Sequence, residues 1–304
     1  PYGIGSMGKA AYDFIDFLRA AKQTYWQILP INPPGYGDSP YQAFSTFAGN
    51  PYLIDLDELV KDGYLTQEEL DRVDWGSRAD QVDPSKMYAQ RLRVLHLAWS
   101  RFHKAPAERY TEYVRQQSAW LEEYVLFMAV KAYYNDGPWT EWPLDIRMHQ
   151  PEAMAYYHEL LHDELDFQRF LQYCFHTQWQ RLRGDAHENG VLIIGDIPIY
   201  VPLDSADVWS HPENFQLTRT RRHASLRAAL PTASTPTAST GAIPSMTGHI
   251  WSRTASRGGC AACAQQGRVS MLSASTISAG LKATGPFLLS TARPARANGS
   301  RVPA

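Results

Sequence analysis

The stretch VLIIGDIPIYVPLDSADVW, from Val191 to Trp209, constrains more than any other what this chain can fold into. Val191 to Ile194 form an apolar run, short and β-branched enough to be a fully buried strand. Gly195 and Asp196 stand where that strand should end, and Pro198 prevents a regular continuation. A carboxylate at the C-terminal tip of a buried strand is costly to hold unless it binds something. In a parallel α/β barrel that tip is where chemistry sits. The plainer reading is an Asp that caps the following turn.

A second strand is expected at Tyr25 to Pro30, YWQILP, after an amphipathic helix over Lys9 to Lys22 with Phe14, Phe17, Leu18 and Ala21 on one face. Between the strands the text is mostly helical. Thr66 and Glu69 make a capping box. Ser85 to His103 carries Leu95, Ala98, Trp99 and Phe102 on one face, Ser118 to Tyr134 is again apolar-faced, and Pro151 to Leu182 reads as one or two helices. Ala186 to Gly190 then turns the chain into the strand at Val191. Two strands separated by so much helix suggest a barrel or doubly wound frame with a large helical insertion, over about residues 53–185, rather than regular βαβ alternation.

The charge is divided sharply. All 31 acidic residues lie in residues 1–217, which hold 18 of the 29 basic ones and so carry a net −13; residues 218–304 have no Asp or Glu and a net +11. After Leu217 the text is rich in Ser, Thr, Ala, Arg, Pro and Gly without periodicity, a composition expected to stay disordered. Its Arg residues are scattered and aromatic platforms are nearly absent, so nucleic-acid binding is not expected. No run of about 18 apolar residues occurs, which argues against a membrane span. With no charged-then-apolar leader and only Cys174, Cys260 and Cys263, the expected setting is the cytoplasm.

Two motifs invite metal or redox chemistry. His158, Glu159 and His162 spell H-E-x-x-H on an expected helix, the pattern of zinc peptidases. It lacks a third ligand in context: Glu164 is too close on the same helix, and Glu188 falls in a turn. Cys260 and Cys263 make a C-x-x-C with neither a thioredoxin-like frame nor a second pair, and read as coincidence.

The loops carry more. INPPGYGDSPYQAFSTFAGNPYLIDL follows the first strand, and GPWTEWP lies further on. Tyr36, Tyr41, Tyr52, Trp139 and Trp142 offer flat apolar faces beside Asp38, Ser39, Gln42 and Asn50. Stacking combined with hydrogen bonding suits a sugar. Aromatics that simply pack a loop onto the frame are the competing reading.

PYGIGSMGKAAYDFIDFL, LPINPPGYGDSPYQAFSTFAGNPYLIDL, GPWTEWPLDIR and GDIPIYVPLDSADVWSHPENFQL together resemble the amylomaltases, the 4-α-glucanotransferases of glycoside hydrolase family 77, continuously over Pro1 to Leu217. The resemblance implies a (β/α)8 TIM barrel with helical insertions. It also implies transfer of α-1,4-glucan segments between maltodextrins, with no metal or organic cofactor. Ser39, Tyr41 and Asp196 match positions lining the glucan site. The implied chemistry is retaining: one carboxylate attacks the anomeric carbon, a carboxylic acid protonates the leaving oxygen, and a glucan hydroxyl resolves the intermediate.

The family's nucleophile sits in a phrase of the form DVVRIDHFRG, absent from this chain as written, and a tail without acidic residues cannot supply it or the other acids. A one-base slip near Leu217 accounts for this. Each family residue would then use a codon ending in the first two bases of the codon read here. Under Met271 to Gly280 all ten residues of DVVRIDHFRG are compatible, and Thr240 to Gly248 hides WGNPIYDW by the same rule. The text also starts late, without the strand expected before PYGIG. The expectation is therefore an α/β chain, a partial TIM barrel with a helical insertion and a disordered, out-of-frame tail. It would be an inactive 4-α-glucanotransferase with no catalytic residue of its own, or else a non-catalytic glucan-binding remnant.

Overall fold

The computed structural model describes residues 2–217 apart from 36, 77–80, 105, 107, 197–200 and 216. Tyr36, Pro198, Cys260, Cys263 and the whole tail lie outside the described residues.

The chain enters through α1 (Lys9–Ala20) and β1 (Tyr25–Gln27), then a long loop. Short helices α2 (Leu56–Lys61) and α3 (Gln67–Asp71) lead to α4 (Pro84–Phe102) and α5 (Glu108–Tyr133). After α6 (Leu144–Arg147) and α7 (Pro151–Leu160) comes the longest helix, α8 (His162–Glu188), which delivers the chain to β2 (Leu192–Ile194) and α9 (Ala206–Ser210). The two strands pair in parallel, Tyr25 opposite Leu192 and Gln27 opposite Ile194. Parallel neighbours joined through intervening helices are the α/β arrangement that the sequence suggests, and of a barrel the described residues supply these two adjacent strands.

Local chemistry explains most boundaries. Asp55 caps α2 by accepting from Glu58 N, and the Thr66–Glu69 capping box is formed in both directions at α3. Asp83 caps α4 with Pro84 in the first turn, where a missing N–H costs nothing. β1 stops at Gln27, short of the expected Pro30. α1 stops at Ala20, because Lys22 is left-handed at φ 57°. The helix starting at Glu108 is longer than expected. Its first ten residues are mostly polar, and the buried Tyr110 and Tyr113 hold them down.

Two buried clusters divide the interior, and α8 contributes to both. Ile15, Leu18, Leu56, Leu95, Phe102, Phe170 and Ile193 belong to the first; Leu121, Phe127, Trp139, Trp142, Val208 and Trp209 to the second. On α1 the buried face is Ile15 and Leu18, whereas Phe14 and Phe17 point outward at 40 % and 61 % exposure. Ala21 is exposed as well, so of the face expected from the sequence only Leu18 is buried. Tyr25 and Leu192, register partners on one sheet face, are likewise 51 % and 41 % exposed, so β2 is not the fully buried strand expected from its apolar run.

Helix α8 also grips the long loop. Gln172 accepts from Gly49 N at 2.8 Å and donates to Gly49 O at 3.0 Å; Gln178 does the same for Asp55 at 2.7 and 3.0 Å. Each buried amide thus imitates one rung of a strand pairing and satisfies backbone groups that burial would otherwise orphan. A side chain at position 49 would bring its Cβ to 2.0 Å from the Phe175 ring, so glycine is required there for space.

Candidate functional site

Because the strands run in parallel, the segments leaving their C-terminal ends emerge on the same side. In parallel α/β folds this is where ligands bind. The loop after β1 carries Ser39 and Tyr41; Asp196 stands two residues beyond β2. They meet. The Tyr41 hydroxyl donates to Asp196 Oδ2 at 2.9 Å, and Tyr41 itself is 45 % exposed. The bond to the carboxylate raises the Tyr41 phenol above its ordinary pKa, since losing the proton would set two anions together. Ser39 shapes the same turn: its Oγ accepts from Tyr41 N at 3.4 Å and its carbonyl from Gln42 N at 3.0 Å.

The loop is a narrow antiparallel hairpin at its base. Pro34 bridges Ala43, Gly35 N donates to Gln42 O at 2.6 Å, and Phe44 N donates to Pro33 O at 2.9 Å. Near its tip Asp38, held at φ 56°, accepts from the Tyr88 hydroxyl on α4. Tyr88 in turn meets Tyr52 edge-on, with ring centroids 4.7 Å apart.

The second aromatic loop behaves differently. Trp139 is fully buried and Trp142 is 3 % exposed, so neither presents a face to a sugar. Trp139 Nε1 donates to Leu203 O at 2.6 Å, its backbone N to Asp204 Oδ1 at 3.3 Å, and Trp142 packs edge-on against Trp209. These tryptophans are core.

The H-E-x-x-H pattern is also corrected. His158 and Glu159 end α7, Leu161 leaves helical geometry at φ −108°, ψ 21°, and His162 begins α8. The pattern needs one continuous helix to place both imidazoles on one face, and the break removes that register. Among the described residues no group of three or more His, Cys, Asp or Glu is placed to hold a metal ion.

Sequence reasoning missed the residues that fasten the loop base. Lys131 on α5 is 2 % exposed and pairs with Asp204 at 2.6 Å while lying 4.9 Å over the Phe44 ring. Asp207 on α9 accepts from Thr46 N at 2.8 Å. Burial drives its carboxyl up to about 6, against the opposing pull of the Thr46 and Ser45 hydrogen bonds and the charge of His211. A signal was present in the text. Lys131 interrupts the apolar run LFMAVKAYY, and a lysine there must find a buried partner.

The sequence profile of the 4-alpha-glucanotransferase family matches residues 1–250. The chain belongs to the 4-alpha-glucanotransferase family. It is 46 % identical over 217 residues to the 4-alpha-glucanotransferase of Streptococcus pneumoniae, covering 71 % of this chain and 43 % of that protein. To the Thermus thermophilus 4-alpha-glucanotransferase it is 44 % identical over 221 residues, with the same two coverages. Among solved structures it is similar to the amylomaltase of Streptococcus agalactiae in complex with acarbose. The TM-score there is 0.76 at 33 % identity, over 83 % of this chain and 51 % of that one. The chain thus spans less than half the length of these curated glucanotransferases. Among the described residues no helix is long and apolar enough to cross a membrane.

Proposed function

We propose that residues 1–217 are the glucan-handling part of a 4-α-glucanotransferase, and that this chain, as written, binds α-1,4-glucan without transferring it. The observation that carries the reading is the Tyr41–Asp196 hydrogen bond. The two positions picked out by family resemblance lie 155 residues apart and meet at the ends of adjacent parallel strands. Ser39, Tyr41 and Asp196 would take the ring hydroxyls of a maltodextrin. Retaining transfer further requires two carboxyl groups about 5 Å apart across the scissile bond. The resemblance assigns that pair to phrases that this chain does not spell.

The proposed cause is a one-base slip near Leu217, after which residues 218–304 are out-of-frame text and not a domain. The ten compatible codons under Met271 to Gly280 support it. The reach of the family profile to residue 250 stands against it. Reading the underlying DNA decides the matter: an uninterrupted single frame through residue 280 removes the slip.

Two assays test the function. Calorimetry with maltoheptaose should give saturable binding that Y41F and D196N each weaken about tenfold, the worth of roughly one hydrogen bond at about 1.4 kcal/mol. Incubation with maltotriose should give no longer maltodextrins. Disproportionation above background would overturn the inactive reading, and absence of binding would overturn the glucan-handling one.

A further inference from the structure

The hairpin that presents Ser39 and Tyr41 touches the segment after β2 both at its tip and at its base. At its tip, Tyr41 donates to Asp196. At its base, Ala206 N donates to Phe44 O at 2.8 Å, and Thr46 N donates to Asp207 Oδ2 at 2.8 Å. Asp207 lies on α9, a one-turn helix capped by Ser205, which accepts from Val208 N at 3.3 Å and donates to Pro202 O at 2.7 Å. α9 is itself anchored by fully buried Val208 and Trp209. So the base of the loop is tied to a fixed element, whereas at the tip the exposed Tyr41 meets Asp196 through its hydroxyl.

The geometry points to Asp207 as a positioning residue for the glucan site: by accepting from Thr46 N it sets the root of the hairpin, and so keeps Tyr41 within reach of Asp196. This inference rests on the glucan reading of Tyr41 and Asp196 for its function, but not for its mechanics. Burying a carboxylate is costly unless hydrogen bonds offset its desolvation, and Asp207 takes those bonds from Thr46 and Ser45 at the loop root. An apolar residue at position 207 would pack α9 as well but would leave Thr46 N without an acceptor. Of these two backbone ties between the loop root and α9, only the Ala206–Phe44 bond would remain. Binding groups hold their geometry only when the residues behind them are themselves locked.

The test uses the full chain and two readouts. Hydrogen exchange at the amides of residues 33–47 is followed by mass spectrometry in the parent, D207A, D207N and T46P, alongside maltoheptaose affinity. D207A should exchange this loop at least tenfold faster than the parent while the amides of α8 keep their protection, and should lose at least tenfold in affinity. D207N retains an acceptor oxygen and should restore both parent values. T46P removes the donor from the loop side and should repeat the D207A result, which keeps the test open if D207A does not fold. Unchanged loop exchange in a folded D207A or T46P overturns the proposal. Faster exchange in D207A, combined with a parent that ignores maltoheptaose, upholds the positioning role and refutes the glucan reading instead.

Discussion

Lys131 Nζ lies 2.6 Å from Asp204 Oδ2, with the Phe44 ring 4.9 Å from the same nitrogen. One ammonium therefore joins α5, the segment after β2 and the hairpin base. K131M should lower stability by about 3 kcal/mol, the low end for breaking a buried pair. Asp204, left uncompensated, still keeps 35 % of its side chain exposed to water. Urea unfolding of parent and variant measures this. A loss below about 1 kcal/mol would show that the pair is no more than a surface bridge.

Asp207 gives stability an unusual dependence on mild acid. Burial raises its folded-state pKa from 3.8 to about 6, so the folded chain holds a proton that the unfolded chain has released. Its contribution is complete below about pH 4 and is lost as pH rises through about 6. His211 is the charged group acting on it, and the Ser45 and Thr46 hydrogen bonds oppose the shift. In D207N this limb should vanish. Melting temperatures of parent and D207N between pH 4 and 7 should converge toward the acid end. Parallel curves would contradict the shift.

Glu69 works in the opposite sense. Arg101 holds it through Nη1 at 2.8 Å and Nη2 at 2.5 Å, and the same Nη1 donates to Tyr64 O at 2.9 Å. The Arg101 hydrogen bond, aided by the Thr66 backbone, lowers the Glu69 carboxyl from 4.5 to about 2. The stability it adds is full above about pH 4.5 and drains away as pH falls through about 2. R101K cannot make the two-pronged contact. Its acid unfolding midpoint, followed by circular dichroism, should move to higher pH, and an unmoved midpoint would argue that the fork contributes nothing.

Phe17, Tyr25 and Leu192 are exposed, and such surfaces promote self-association. The double variant F17K/L192K should stay monomeric at concentrations where the parent forms larger species in sedimentation, with little change in melting temperature. Equal association of both proteins would locate the sticky surface elsewhere.

Much of this was legible in the text. The strand at Val191, the Thr66 capping box and the buried face of α4 follow from short-range rules of periodicity and capping. Family resemblance points to Ser39, Tyr41 and Asp196; no local rule predicts that Tyr41 and Asp196 meet in a hydrogen bond. What escaped depends on tertiary partners. Phe14 and Phe17 satisfy helical spacing, yet the interior lies on the Ile15 side. Trp139 and Trp142 look like a sugar platform until Leu203, Asp204 and Trp209 close over them. The H-E-x-x-H letters are intact, but Leu161 interrupts the helix that would give them meaning.

The pairing of Tyr25 with Leu192 has a consequence for how the chain comes off the ribosome. β1 is made early and its partner late, with every helix from α2 to α8 synthesised in between. Helices close through local contacts and can form as they emerge, whereas the edge of β1 that receives β2 must wait for the far end of α8 to arrive. Translation speed between these points therefore sets how long a chaperone would have to shield that strand.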